Sequence, residues 1–127
     1  MPITALYTAL AALLLVGLSW RVVQARQKSH VSIGDGGDAE LTRRIRAQGN
    51  TQEYLPLGLL VVLMLELNHA PVWAVHLAGA TLLIGRLLHA WGLSRSSGVS
   101  FGRFTGTVLT WLVLLAGALG LLWLVLL

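Results

Sequence analysis

The sequence has no cysteine and very little charge. Without cysteine, the chain supplies no disulfide, no thiolate metal ligand and no thiol nucleophile, so any thiol chemistry must come from a bound molecule. Charged residues make up 11% of the 127 residues, whereas soluble domains contain about 25%. A chain this poor in charge cannot cover its surface with polar groups in water, but in lipid its outer surface can be apolar. The composition therefore predicts one small membrane domain.

Long apolar runs fill most of the chain. They predict four helices, at about 3–28, 38–67, 71–93 and 103–127. About 20 apolar residues are enough for a helix to cross the hydrocarbon core. The first run has no basic residue before Arg21, which favours a retained helix over a cleaved signal peptide. The apolar part of the second helix is short, from Tyr54 to Leu67, but its helical pattern extends back to Asp38. The predicted fold is all-α, an integral membrane four-helix bundle that crosses the bilayer four times.

Small and polar residues mark helix ends and contacts. Asp38 is a predicted N-cap of the second helix, with Glu40 favourably placed in its first turn. On the third helix, Ala78, Gly85 and Gly92 recur every seven residues. Small residues at this spacing allow another helix to approach closely.

The basic residues are confined to two clusters. One, between helices one and two, contains Arg21, Arg26, Lys28, Arg43, Arg44 and Arg46. The other contains Arg86, Arg95 and Arg103, around a predicted loop from Ser94 to Gly102. Because cytoplasmic loops carry the excess of Lys and Arg, both clusters are expected on the cytoplasmic side and both termini on the other. The basic residues are too few and too scattered among apolar runs to predict nucleic-acid binding.

A stripe of polar residues follows one face of the second helix. Arg43, Arg46, Asn50 and Glu53 are three or four residues apart, and Tyr54 lies four residues after Asn50. A carboxylate this close to the hydrocarbon is costly unless it is paired or hydrated. The stripe therefore indicates either a functional site or an ion-pair network that only fixes helix packing.

The third helix carries a second polar set, Arg86 and His89, inside an otherwise apolar run. Both are expected to face the bundle interior or a polar cavity. Together with the stripe of the second helix, and with Arg95 and Arg103, they predict a cationic pocket at the cytoplasmic rim. Such a pocket suits an anionic ligand with carboxylates, because arginine binds carboxylates through two hydrogen bonds. Arg95 fits equally well as a membrane anchor.

The side away from this pocket carries Glu66, His69 and His76. No convincing third ligand lies near the two histidines in the sequence, so no metal site is predicted.

The second-helix stripe contains the pattern Arg-Ala-x-x-Asn-x-x-Glu-x-x-Pro, from Arg46 to Pro56. It resembles the signature of the membrane-associated proteins in eicosanoid and glutathione metabolism, the MAPEG family. The segment from Gly85 to Ala90 resembles part of that family's third helix. The resemblance implies a homotrimer of four-helix subunits, with glutathione bound in a cleft between adjacent subunits that opens to the cytoplasmic side.

The resemblance also implies roles for individual residues. The implied contacts to glutathione are Arg26, which would bind a carboxylate, and Arg46, Asn50, Glu53, Tyr54, Arg86 and His89. Arg103 matches the arginine that activates the thiol, and Arg95 is the next candidate for that role. A guanidinium beside the sulfur favours the thiolate, which is the nucleophile. A lipophilic small-molecule electrophile would arrive from the bilayer.

Two positions depart from the family pattern, and three functions compete. Leu93 stands where several members have a tyrosine, and Gln27 stands where some have a second arginine. The leading hypothesis is a glutathione-dependent transferase or peroxidase; the rival is a non-catalytic scaffold or lipid-binding protein of the same fold, which Leu93 favours. A proton-coupled transporter could use Glu53 and His89 as a relay, but the sequence shows neither inverted repeats nor interrupted helices.

Overall fold

Four α-helices make up the protein. The computed structural model describes residues 2–127, and these residues form no β-strand. The helices are α1 (Ile3–Ser29), α2 (Ala39–Leu67), α3 (Val72–Arg95) and α4 (Phe101–Leu126). The predicted all-α class with four helices is confirmed.

The start of α2 is fixed as the sequence predicts. The Asp38 carboxylate accepts a hydrogen bond from the backbone N–H of Leu41 at 2.8 Å, which caps the helix. Glu40 in the first turn pairs with Lys28 at 3.2 Å and with Arg44 at 2.6 Å. These contacts join the end of α1 to the beginning of α2.

The link between α3 and α4 is shorter than predicted. α3 continues through Ser94 to Arg95, so the assignment of these two residues to the loop is wrong. The Ser94 hydroxyl donates to the carbonyl of Ala90 four residues earlier, within the same helix. α4 begins at Phe101, because the hydroxyl of Ser100 accepts a hydrogen bond from the backbone N–H of Arg103 at 3.3 Å.

Three of the helices, α1, α3 and α4, are long and apolar enough to cross a membrane. α2 is long enough, but it is not apolar enough because its first half carries the polar stripe. It nevertheless runs antiparallel to α1 over the same distance. At one end Glu66 accepts hydrogen bonds from the backbone N–H groups of Ile3 and Thr4, and at the other Arg44 donates to the carbonyl of Arg21 at 2.8 Å. This arrangement favours the predicted four crossings, which stay a prediction.

Glycines bring α3 and α4 close together near their connecting loop. They are Gly85 and Gly92 on α3, and Gly102 and Gly106 on α4. A methyl group at Gly92 would lie 2.5 Å from the backbone nitrogen of Arg103, far inside van der Waals contact. The predicted close approach is therefore confirmed at Gly85 and Gly92. Ala78 instead lines an apolar groove at the opposite end of the two helices.

Candidate functional site

A cavity of about 200 Å³ lies between α2, α3 and the beginning of α4. Five residues of the two predicted polar sets and the start of α4 line it: Arg43, Arg46, Asn50, His89 and Arg103. The other lining residues are Thr42, Leu93 and Ser97. The fold thus brings the stripe of α2, the third-helix histidine and the first turn of α4 into one site.

The wall of this cavity is cationic. Arg43, Arg46 and Arg103 contribute three guanidinium groups, and no carboxylate lines the cavity. The Nε of Arg43 and the Nδ1 of His89 are buried and have no hydrogen-bond partner among the described residues. Buried polar groups in proteins are normally hydrogen-bonded. With three guanidinium groups in its wall and no lining carboxylate, the cavity suits an anionic ligand that accepts hydrogen bonds.

Arg46 has a carboxylate neighbour outside the cavity lining. Its Nη1 lies 3.5 Å from Oε1 of Glu53, and both side chains are more than half exposed within the subunit, at 54% and 55%. An exposed ion pair of this kind contributes little to stability. Arg46 can therefore exchange this partner for a ligand at small cost.

Arg103 is held over the cavity by the loop that precedes α4. Its Nη1 donates to the carbonyls of Ser97 at 3.1 Å and Gly98 at 3.5 Å. Arg43 reaches the same loop, with its Nη1 3.5 Å from the Ser97 hydroxyl. The loop therefore positions Arg103, for which the family resemblance implies a role in thiol activation.

Arg86 lies beneath the cavity and does not line it. It is completely buried, and each of its three nitrogens donates to a group of the same chain. Nε donates to the Thr110 hydroxyl at 2.9 Å, Nη1 to Oδ1 of Asn50 at 2.5 Å, and Nη2 to the carbonyl of Gly106 at 3.2 Å. Arg86 therefore orients Asn50 and joins α2, α3 and α4.

Tyr54 extends this buried junction. The Arg86 guanidinium lies 5.1 Å from the centre of the Tyr54 ring, a cation–π contact. The Tyr54 hydroxyl accepts a hydrogen bond from the indole N–H of Trp111 at 3.2 Å, which ties α2 to α4. Glu53 and Tyr54 thus adjoin the lining residues without belonging to the cavity wall of a single subunit.

Two arginines named from the sequence lie elsewhere. Arg26 donates to the carbonyl of Gly34 at 2.7 Å, in a separate pocket of about 360 Å³ at the end of α1. Arg95 stacks on Trp91, with its guanidinium carbon 5.3 Å from the centre of the ring. Neither residue lines the cationic cavity.

Sequence reasoning missed parts of the cavity wall. Arg43 belongs to the stripe that was predicted to form part of the pocket, but Thr42 and Ser97 were not predicted. Thr42 lies one residue before Arg43 and carried no signal of its own. Ser97 lies in a loop, where sequence periodicity does not predict the direction of a side chain.

Comparisons of the sequence with known proteins identify its family. Residues 4–123 match the model of the MAPEG family. The chain is 41% identical over 121 residues to the inner membrane protein YecN of Escherichia coli K12, covering 95% of this chain and 91% of YecN. It is 34% identical over 117 residues to the leukotriene C4 synthase of Cavia porcellus, covering 91% of this chain and 77% of the synthase. With a family match over nearly its whole length, this chain belongs to the MAPEG family.

Proposed function

We propose that the protein is a membrane-embedded, glutathione-dependent transferase or peroxidase that acts on lipophilic electrophiles. The observation that carries the proposal is the cationic cavity, which three arginines line without a carboxylate. Glutathione matches this chemistry, because it carries two carboxylates and one thiol. The resemblance to leukotriene C4 synthase supports the same reaction class.

In the proposed mechanism, Arg46 and Asn50 hold the carboxylate and amide groups of glutathione, and Arg103 lies beside its sulfur. The guanidinium stabilises the thiolate, which raises the concentration of the nucleophile at neutral pH. In a transfer, the sulfur forms a bond to the electrophilic carbon, and the leaving group or opened ring takes up a proton. In a peroxidase reaction, two glutathiones become a disulfide while a hydroperoxide is reduced to an alcohol and water.

A homotrimer would complete the site. The cavity of one subunit, about 200 Å³, is smaller than the 300–1,000 Å³ of typical ligand pockets. Glu53 is half exposed at the level of the apolar run, where an uncovered carboxylate is costly. A neighbouring subunit that covers this face would shield Glu53, enlarge the cavity and bring its own Arg26 toward the ligand. Native mass spectrometry from mild detergent should give a threefold mass, and a clean monomer or dimer in several detergents would refute the trimer.

The proposed orientation places the cavity on the cytoplasmic side and both termini on the other. It rests on the one-sided placement of Lys and Arg. A phosphatase reporter, which is active only outside the cytoplasm, should be active when fused after Leu127. An inactive phosphatase together with an active cytoplasmic reporter at the same position would overturn the orientation.

The rival function is a non-catalytic scaffold or lipid-binding protein. The observation that favours it is Leu93, which lines the cavity at the position where several family members have a tyrosine. A scaffold would leave the thiol of any bound glutathione protonated and would show no turnover. The two functions therefore differ in thiol ionisation rather than in fold.

Calorimetric titration of the detergent-purified protein with glutathione tests the proposed ligand. Binding should be saturable in the wild type and weaker in Arg46→Ala, because that variant loses a charge-assisted contact. Arg95→Ala removes an equal charge outside the cavity and should bind as the wild type does. No heat of binding in the wild type, or equal losses in both variants, would contradict the site.

A further inference from the structure

A second cavity lies at the opposite end of the bundle from the cationic cavity, on the outer face of α3 and α4. It has a volume of about 480 Å³. Its walls come from the first half of α3 and the second half of α4, with Leu65 of α2 at its floor. No residue lines both cavities. The groove is therefore a separate feature with its own ligand chemistry.

The walls of the groove are apolar. Thr81 contributes the only side-chain hydroxyl among the lining residues, and no charged residue is among them. Water would find too few hydrogen-bond partners to occupy such a space, since a bound water needs two to four polar partners. The groove exists because Ala74, Ala116 and Gly120 are small, and larger residues at these positions would fill it. The occupant must be apolar.

The dimensions of the groove select the kind of occupant. Along α4 it extends from Leu112 to Leu124, twelve residue rises, which at about 1.5 Å per residue is about 18 Å. A single extended hydrocarbon chain can lie along a groove of this length and contact its apolar walls.

The position of the groove matches one leaflet of a bilayer. Trp73 and Trp123 line its outer end, and they are 68% and 67% exposed. Exposed tryptophans concentrate at the level of the lipid headgroups. From there the groove runs inward for about 18 Å, close to half of the roughly 30 Å hydrocarbon core, which is the depth that one acyl chain fills.

We propose that this groove binds one acyl chain of a membrane phospholipid, with its headgroup near Trp73 and Trp123 and its chain running toward Thr81. The acyl chain makes van der Waals contacts with α3 and α4, and these contacts would be absent if the groove were empty. The proposal does not depend on glutathione chemistry, because the groove and the cationic cavity share no residue.

Photolabelling in proteoliposomes tests the proposal. The full chain is reconstituted with a phosphatidylcholine that carries a diazirine midway along one acyl chain, and the labelled residues are mapped by mass spectrometry. Labels should concentrate on groove residues such as Thr81 and Ala116, above the level at Ile84 and Leu119, which are exposed on α3 and α4 outside the groove. Equal labelling of both surfaces would overturn the proposal, because it would describe bulk lipid only.

Two substitutions on α4 make a matched pair for this assay. Ala116→Trp places an indole in the groove, while Ala118→Trp places the same indole on an exposed position outside it. Labelling of Thr81 should fall about tenfold in Ala116→Trp, equivalent to about 1.4 kcal/mol of lost contacts, and stay unchanged in Ala118→Trp. Ala116→Leu, which fills less of the groove, should give an intermediate loss.

Unchanged labelling in Ala116→Trp would overturn the proposal. So would a loss of oligomer mass in Ala116→Trp without a loss of lipid label, because the groove would then be a subunit interface.

Discussion

The rim of the cationic cavity and the junction beneath it both depend on arginine, but they use its charge in opposite ways. At the junction, Arg86 is fully buried and all three of its nitrogens donate to groups of the same chain. At the rim, Arg103 donates only to loop carbonyls, and the Nε of Arg43 has no partner among the described residues. The guanidinium of Arg86, which is hydrogen-bonded within the chain, maintains the helix arrangement. The guanidinium groups of Arg43 and Arg103 at the rim remain available to a ligand.

Removal of the buried Arg86 should have the largest effect and tests the contrast between junction and rim most strongly. Arg86→Leu removes three hydrogen bonds of a buried guanidinium and leaves Oδ1 of Asn50 without its donor, so we expect the free energy of unfolding to fall by about 3–5 kcal/mol. Arg95→Leu, on the same helix but exposed, should change it by less than about 0.5 kcal/mol. Unfolding in mixed detergent micelles measures both. Similar losses in the two variants would show that Arg86 does not hold the junction.

At the rim, substitutions should affect chemistry more than stability. Arg103→Ala should lower turnover about tenfold or more, because a charge-assisted contact contributes about 1.5–3 kcal/mol and each 1.36 kcal/mol is a factor of ten. Arg46→Ala should instead weaken glutathione binding more than turnover at saturation. Steady-state kinetics with varied glutathione separate the two effects. The assigned roles would be wrong if Arg46→Ala lowered turnover and Arg103→Ala weakened only binding.

The junction also depends on the close approach of α3 and α4. A methyl group at Gly106 would lie 2.5 Å from the backbone nitrogen of His89, so Gly106→Ala should destabilise the protein by about 1–3 kcal/mol. Gly17 has nothing within 4 Å of the position of a methyl group. Gly17→Ala is therefore the matched control and should be neutral or slightly stabilising, since alanine favours helix. Equal effects of the two substitutions on the free energy of unfolding would show that the close approach of α3 and α4 does not contribute to stability.

The smallest expected effect concerns the loop between α1 and α2. The backbone N–H of Gly37 and the hydroxyl of Thr42 donate to Asp35 and lower the pKa of its carboxyl below its ordinary value. Because the pKa is lowered in the folded state, this stabilisation is present above the ordinary value of about 3.9 and is lost as the pH falls through the lowered pKa.

Amide exchange at Gly37 should therefore accelerate as the pH falls below about 4 in the wild type, after correction for intrinsic exchange rates. In Asp35→Asn the corrected rate should not depend on pH over this range. A pH-dependent rate that is the same in both proteins would show that Asp35 does not order the loop.

The comparison also explains what could be predicted from the sequence. The spacing of Arg46, Asn50 and Glu53 predicts one helical face, and the cap at Asp38 follows from a local rule, so these need no knowledge of other helices. The rotation of α3 about its axis relative to α4 determines that Arg86 contacts Thr110 and Gly106 while His89 faces the cavity. The spacing of residues within one helix does not predict this rotation.

Contacts between distant residues were missed for the same reason. Glu66 accepts from the first backbone N–H groups of α1, more than sixty residues away in the chain. Arg26 was grouped with the other arginines by the family resemblance, yet it lies in a separate pocket of its own subunit. Its proposed role depends on a neighbouring subunit, which no pattern within one chain reveals.

The most direct test of the account is the ionisation of glutathione in the cationic cavity. Thiolate absorbs in the ultraviolet, so difference spectra of the protein with glutathione at neutral pH report its formation without an electrophile. The account predicts a saturable thiolate signal in the wild type, a greatly reduced signal in Arg103→Ala, and a full signal in Arg95→Ala. Saturable glutathione binding without any thiolate signal in the wild type would contradict the account and favour the scaffold.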